Sequence, residues 1–177
     1  MPVTEQRSLL SRAFYVGPPL RTLHEEYAKG GRIDTAAPVT AVCGIRTAAP
    51  PAVVWRLLSD LDGWPGWVPG VAAMSGGGPG GAVPGLSFRW KLGGMTIRST
   101  MAVVTPEREL CWTGLLAGTR AVHRFRLVPL PDGGTEVVSE ESIGGPLLAL
   151  YYSSERLEQV LRAWLSALKT LAEEQTR

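Results

Sequence analysis

The sequence predicts an α+β fold in which a curved, seven-stranded antiparallel sheet wraps around one long C-terminal helix. The first observation is an apolar stripe at helical spacing within residues 145–174. The stripe consists of Leu150, Leu157, Leu161, Trp164, Leu168 and Leu171. The second observation is a series of short segments between residues 39 and 143 in which apolar and polar residues alternate, as in strands with one buried face. A helix of roughly 40 Å with one apolar side needs a broad apolar partner, which such a sheet supplies.

The composition is that of an ordinary globular protein. Its 177 residues are 45% hydrophobic and 19% charged, which suits one domain with a sizeable core. The net charge of +2, without a basic run, gives no support to nucleic-acid or membrane-surface binding. No apolar stretch reaches the length of a membrane span, about 18 residues, and no secretory signal is recognisable, so we expect a cytoplasmic protein. The many Gly, Pro, Ala and Arg residues suggest a bacterial source.

Residues 1–37 differ from the rest, and we expect them to form an N-terminal extension outside a main domain of residues 38–174. Thr4 is a suitable N-cap for a short helix that ends near Phe14, before a Gly-Pro-Pro sequence. Residues 20–29 predict a second short helix, which two glycines end. We expect the extension to pack on the surface of the domain. A lid or a dimer contact is the alternative, so a homodimer stays open.

The main domain begins with a strand, a helix, a tight turn and a second short strand. Their predicted bounds are residues 39–47, 51–61, 63–69 and 71–74. The turn is rich in proline and carries two tryptophans, Trp64 and Trp67. The glycine-rich loop at 76–81 lacks the Gly-Lys-Ser/Thr sequence of a phosphate-binding loop, so we reject nucleotide binding.

Two hairpins further along can be written residue by residue. The turn Gly93-Gly94 predicts the pairs Leu92 with Met95, Trp90 with Ile97, Phe88 with Ser99 and Leu86 with Met101, all on the inner face. The outer face then sets Arg89 against Arg98, a repulsion that is tolerable only in water. After a strand at 110–116, the loop at 131–133 predicts the pairs Leu127 with Val137, Phe125 with Ser139, and His123 with Glu141.

Several motifs occur in a recognisable order. They are Val54-Trp55-x-Leu57-Leu58-x-Asp60, Trp64-Pro65-x-Trp67-x-Pro69, Leu110-x-Trp112-x-Gly114, His123-x-Phe125-x-Leu127, Glu140-Glu141-Ser142-x-Gly144 and Trp164-Leu165-x-x-Leu168-Lys169. Over residues 38–174 this pattern resembles the START-like superfamily, also called helix-grip, SRPBCC or polyketide cyclase/dehydrase-like. The resemblance implies a helix-grip fold with a deep apolar cavity between the concave sheet and the terminal helix. Members include polyketide aromatases and cyclases, lipid and steroid carriers, and co-chaperone domains.

The sequence holds few groups that could perform chemistry. No metal constellation, catalytic triad or cofactor motif is recognisable, so we expect no metal and no cofactor. Cys43 and Cys111 each lie in a strand-like segment and are expected to be buried free thiols. His123 and Glu141 oppose each other on the predicted inner face. They are either a buried hydrogen bond that fixes strand register or an acid/base pair that faces a ligand.

The cavity that the resemblance implies would be lined by aromatic residues and a few polar anchors. The candidate ligand-binding residues are Trp64, Trp67, Phe88, Trp90, Ser99, Thr113, Phe125, Ser139 and Trp164. Alternatively, the tryptophans plug the core and leave little void. The other histidine, His24, is expected at the surface.

Three functions follow from the resemblance. The first is binding of a small hydrophobic molecule such as a lipid, polyketide or terpenoid. The second is a polyketide aromatase or cyclase in which His123 and Glu141 move protons during ring closure, without a cofactor. The third is an interaction module like the co-chaperone domains, which would combine a filled interior with an exposed apolar patch.

Overall fold

A computed structural model describes residues 9–78 and 80–177. Its centre is a seven-stranded antiparallel sheet in the order β1-β7-β6-β5-β4-β3-β2, so the first strand pairs with the last. The strands are β1 Val39–Thr47, β2 Val71–Ser75, β3 Ser87–Leu92, β4 Met95–Thr105, β5 Glu109–Leu116, β6 Thr119–Pro129 and β7 Thr135–Gly144. The long helix α4, Ser154–Glu174, packs on the inner face of this sheet. The predicted helix-grip architecture is confirmed.

Short helices complete the chain. They are α1 Leu9–Ala13, α2 Leu20–Thr22 with its π-helical continuation Leu23–Ala28, α3 Pro51–Ser59, and two 3-10 turns, Leu61–Gly66 and Leu148–Leu150. The predicted second N-terminal helix thus corresponds to two joined pieces. The predicted first helix began at Thr4, which lies outside the described residues. None of the described helices is both long and apolar enough to cross a membrane.

Both predicted hairpin registers agree with the structure. Leu92 pairs with Met95, and His123 pairs with Glu141. The register is enforced by the turn between β3 and β4, where Gly93 and Gly94 take φ angles of 56° and 84° that favour glycine. A one-residue slip would turn every inward side chain of the hairpin outward, so this turn fixes which residues reach the core.

The long helix starts later than the sequence predicts. Residues before Ser154 leave the helical path, because Leu147 adopts a left-handed conformation (φ 63°) and starts a separate turn. Ser153 then caps α4 by accepting a hydrogen bond from the backbone N–H of Arg156. The helix has 21 residues and measures about 31 Å. The assignment of Leu150 to the buried stripe is therefore wrong, since this residue is 67% exposed.

The N-terminal segment covers part of the outer face of the sheet. Leu23 and Ala28 pack with Ala102, Cys111 and Val122, whose side chains point away from α4, and together they form a second, smaller apolar cluster. The sheet is therefore covered on both faces over β4 to β6. Both cysteines are free and buried, as predicted. Whether residues 1–37 act as an independent extension stays a prediction.

The corrected helix start gives a direct test by substitution. Leu161→Ala should lower the free energy of unfolding by about 2–5 kcal/mol, because Leu161 is 1% exposed and its removal leaves a cavity beneath α4. The matched control Leu150→Ala should change it by less than about 0.5 kcal/mol. Urea unfolding of both variants provides the measurement. Equal losses at the two positions would contradict the boundary of α4 described here.

Candidate functional site

Aromatic side chains occupy the space between the sheet and α4, where the resemblance implies a cavity. The cluster contains Trp64, Phe88, Trp90, Trp112, Phe125 and Trp164, each 5% exposed or less. Trp64 lies at its centre. Its ring centroid is 5.4 Å from that of Trp112 and 6.4 Å from that of Trp164. The alternative in which the tryptophans plug the core is therefore the arrangement observed.

Three of the tryptophans also use their only polar atom inside the protein. The indole N–H of Trp64 donates to the carbonyl of Leu58 at 3.1 Å, and that of Trp164 donates to the carbonyl of Pro69 at 3.1 Å. The indole of Trp90 donates to the hydroxyl of Ser99 at 3.0 Å. These bonds fix the ring orientations, because a buried donor without a partner would be costly.

The cluster assembles most of the predicted ligand-binding residues, although not all. Trp64, Phe88, Trp90, Phe125 and Trp164 lie within it, and Ser99 and Ser139 bond to members of the inner face. Trp67 is only half-buried and packs against the edge of the core. The structure brings these residues together, and their role in binding stays a prediction.

The placement of Thr113 in the cavity is wrong. Because side chains alternate along a strand, the inward direction of Trp112 forces Thr113 to the outer face. There its hydroxyl lies 3.0 Å from Nδ1 of His24 in the N-terminal segment. His24 is accordingly half-buried, which corrects its expected surface position, and burial lowers its pKa.

The inner-face histidine is embedded among aromatic rings. His123 is 1% exposed, and its ring centroid lies 4.4 Å from that of Trp112, 4.8 Å from that of Phe125 and 5.6 Å from that of Trp164. Trp112 was missed as a site residue, although its alternation with Leu110 and Gly114 could have identified it. The imidazole is thus enclosed by α4 on one side and its own strands on the other.

Both imidazole nitrogens have partners on β7. Nδ1 of His123 lies 3.3 Å from Oε2 of Glu141, and Nε2 lies 2.9 Å from the hydroxyl of Ser139, which is completely buried. The predicted cross-strand contact between His123 and Glu141 is therefore present. Because residues 139 and 141 alternate onto the same face of β7, one strand supplies a partner for each side of the ring.

Burial controls the protonation of this pair. It lowers the pKa of His123 and raises the pKa of Glu141, because each charged form would lose its hydration. The His123 side chain is 1% exposed, and the Glu141 side chain is 15% exposed. Both shifts favour a neutral imidazole beside a protonated carboxyl. The Glu141 hydroxyl then donates to Nδ1, and Nε2–H donates to Ser139.

The partly open side of the pair faces the start of α4. Tyr152 lies close enough to Glu141 for that carboxyl to contribute to a raised pKa of the phenol, after burial as the main cause. Sequence reasoning missed Tyr152, because it was assigned to a continuous helix. Within the described part of the chain, no three His, Cys, Asp or Glu side chains converge as a metal site would require.

Comparison with known proteins agrees with this architecture. Residues 39–173 match the sequence model of a family described as polyketide cyclase / dehydrase and lipid transport. The chain belongs to this polyketide cyclase/dehydrase and lipid transport family. The match covers all seven strands and nearly all of α4.

Solved structures extend the family resemblance at the level of the fold. A hypothetical protein from Helicobacter pylori has a TM-score of 0.66 at 15% identity, with 88% of this chain and 95% of that chain covered. The Zhui aromatase/cyclase from a Streptomyces species has a TM-score of 0.59 at 19% identity, with 78% and 95% covered. A START superfamily protein from Mycobacterium smegmatis has a TM-score of 0.58 at 16% identity, with 77% and 98% covered. No curated protein matches the sequence significantly.

The shifted pKa values predict how stability depends on pH. The pKa of Glu141 is raised above its ordinary 4.5, so the folded state keeps a proton that the unfolded state loses, and stability falls as pH rises above 4.5. The pKa of His123 is lowered below its ordinary 6.5, so only the unfolded state gains a proton as pH falls below 6.5. The two effects oppose each other between these values, and the pair stabilises the fold most there.

Urea unfolding at a series of pH values should therefore show a loss of stability above pH 6.5 that Glu141→Gln largely removes. The glutamine amide replaces a protonated carboxyl and cannot ionise. Glu158→Gln, on the exposed side of α4, serves as the control and should keep the wild-type slope. An unchanged slope in Glu141→Gln would contradict a raised pKa at this carboxyl.

Proposed function

We propose that this protein binds a small hydrophobic molecule between its sheet and α4, with the His123–Glu141 pair as the polar anchor. The observation that carries the proposal is an ionisable pair held inside an aromatic cluster, with one edge open beside Tyr152. A fold of this kind does not need such a pair, since apolar residues of similar volume would stabilise the interior as well or better. Membership of a cyclase and lipid-transport family supports the same conclusion.

Binding requires the aromatic cluster to rearrange. The rings of Trp64, Trp90 and Trp164 contact one another at centroid distances of 5.8–6.4 Å, so a ligand must separate at least two of them. The Glu141 edge is the proposed entrance, because it alone of the pair keeps solvent exposure. The ligand would then combine a hydrocarbon body with one hydroxyl or carbonyl that bonds to the pair.

A second candidate, a polyketide-type cyclase or aromatase, is favoured by the proton content of the pair. With Glu141 protonated and His123 neutral, the site contains one acid and one base 3.3 Å apart. When Glu141 delivers its proton to a substrate oxygen, the lone pair on Nδ1 of His123 becomes free to accept a proton from carbon, as aldol-type ring closure requires. The similarity in fold to the Zhui aromatase/cyclase is consistent with this chemistry.

The third candidate, an interaction module, is also favoured by specific observations. The interior is filled by aromatic rings, and five exposed apolar side chains flank the contact between α1 and the Leu148–Leu150 turn. They are Phe14, Val16, Leu147, Leu150 and Tyr151, with exposures of 48–68%. This combination is the one expected of a protein whose surface, rather than its interior, makes contacts.

The first test is binding of a neutral apolar probe, N-phenyl-1-naphthylamine, together with native mass spectrometry of protein from its own host. We expect a co-purifying hydrophobic compound and probe binding that this compound displaces. His123→Asn should weaken the compound's binding about tenfold, the equivalent of one hydrogen bond, whereas His24→Asn on the outer face should not. A protein that carries nothing and binds no probe contradicts interior binding and favours the interaction module.

Turnover distinguishes a cyclase from a carrier. Incubation with a poly-β-ketone thioester should yield an aromatic product if the pair acts as acid and base, and Glu141→Gln should lower that rate by about 10²–10⁴. Binding without any product contradicts the cyclase candidate and leaves the carrier.

A further inference from the structure

A cleft lies on the outer face of the sheet, away from the His123 site. It has a volume of about 530 Å³. The N-terminal segment forms one wall through Leu20, and the strands β3, β4 and β5 form the floor. Hydroxyl groups of Ser87, Thr100 and Thr113 and two arginines, Arg89 and Arg98, face this space.

Arg89 and Arg98 differ from most arginines on this face, because no glutamate lies opposite them. Three other arginines here stand in register with a glutamate: Arg46 pairs with Glu136, Arg124 with Glu140, and Arg126 with Glu109. A fourth, Arg120, donates to a backbone carbonyl instead. Arg124 forms ion pairs at 2.7 Å and 2.9 Å with its two glutamates. A glutamate on the neighbouring strand therefore usually compensates the charge of an arginine on the outer face.

Arg89 and Arg98 face each other instead. They are directly opposite in the β3–β4 register, and neither forms an ion pair within residues 9–78 and 80–177. No acidic residue lines the cleft in that part of the chain. Like charges opposite each other destabilise a sheet, so this pair is a cost to the folded state without a ligand. An anion between the guanidinium groups would relieve it.

The wall of the cleft is held in place by a specific contact. The guanidinium of Arg120 donates to the carbonyl of Pro18 at 2.6 Å, two residues before Leu20. Arg120 pairs with Leu115, which in turn pairs with Arg98. Leu20 and Leu115 consequently provide an apolar side next to the cationic one.

We propose that this outer cleft binds a phosphate monoester that carries an apolar group. Arg89 and Arg98 hold the phosphate, and Leu20 and Leu115 contact the apolar part. Two fixed positive charges match the double negative charge that such a phosphate approaches above its second pKa near 6. The planar guanidinium groups donate paired hydrogen bonds that suit phosphate oxygens. The hydroxyls of Ser87 and Thr100, 3.4 Å apart, lie one cross-strand row away.

The experiment uses calorimetric titration of the full chain with four probes of matched chemistry. Octyl phosphate has both the charge and the tail, inorganic phosphate only the charge, octanol only the tail, and octanoate a single charge with a tail. We expect octyl phosphate to bind at least tenfold more tightly than any of the other three, and its affinity to fall with added salt. Equal binding of octanol and octyl phosphate, or no binding of any anion at millimolar concentration, would overturn the proposal.

Matched variants locate the site. Arg89→Gln and Arg98→Gln should each weaken octyl phosphate binding at least tenfold, as expected for a charge-assisted bond. Arg108→Gln removes the same charge in the turn after Thr105, the last residue of β4, which lies about 23 Å from Arg98 at 3.3 Å per residue. This variant should leave binding within twofold. Equal weakening by Arg108→Gln would mean that net charge alone is responsible, which contradicts a site.

A melting control and a vesicle-binding measurement complete the test. Without ligand, Arg98→Gln should melt no lower than the wild-type protein, so a loss of binding cannot be attributed to unfolding. Phosphatidylcholine vesicles that contain phosphatidic acid distinguish a lipid headgroup from a soluble ester. Binding to vesicles without binding of octyl phosphate overturns the small-ligand site. Since His123→Asn leaves this cleft intact, a failure here is distinguishable from a failure of interior binding.

Discussion

Both ring nitrogens of His123 need hydrogen-bond partners, because the imidazole is buried among apolar side chains. The sheet register, the aromatic cluster and the position of α4 all depend on this requirement. Ser139 and Glu141 meet both ring nitrogens only if β6 and β7 keep their observed register. The same register sends Phe125 inward and Arg124 outward, where Arg124 joins Glu109 and Glu140. A shift of one residue would bury these charges and expose the ring, so the buried pair and the outer ion pairs specify the same alignment.

The two faces of the sheet have different chemistry. The inner face is apolar, with aromatic and aliphatic side chains, and within the described residues its buried polar side-chain atoms all have hydrogen-bond partners. The outer face is divided: over β4 to β6 it is covered by the N-terminal segment, and at β3 and β4 it carries Arg89 and Arg98, which form no ion pair within the described residues. His24 belongs to the covered part, where it contacts Thr113. The two binding sites proposed for this protein therefore lie on opposite faces of the sheet.

The sequence was sufficient for the fold because its signals are local. The Gly93-Gly94 turn and the short loop at 131–133 set two hairpin registers, and alternation then assigned the inner residues. The alternation of side chains along β5 would also have excluded Thr113 from the inner face, since Thr113 directly follows Trp112, whose side chain points inward. The later start of α4 depends on the left-handed backbone conformation of Leu147. The sequence does not predict this conformation, because leucine rarely adopts it. The sequence left a cavity and a filled interior as alternatives, because the space beneath α4 depends on how six rings from different elements pack.

The central claim is that a neutral imidazole and a protonated carboxyl share one proton inside the aromatic cluster. ¹⁵N NMR of histidine-labelled protein measures it directly, with His24 as the second, less buried histidine in the same spectrum. The account predicts that His123 at pH 6 is neutral with its proton on Nε2, and that the proton moves to Nδ1 as Glu141 ionises at higher pH. An imidazolium signal for His123 at neutral pH would contradict the account, because it would mean that the interior holds an ion pair.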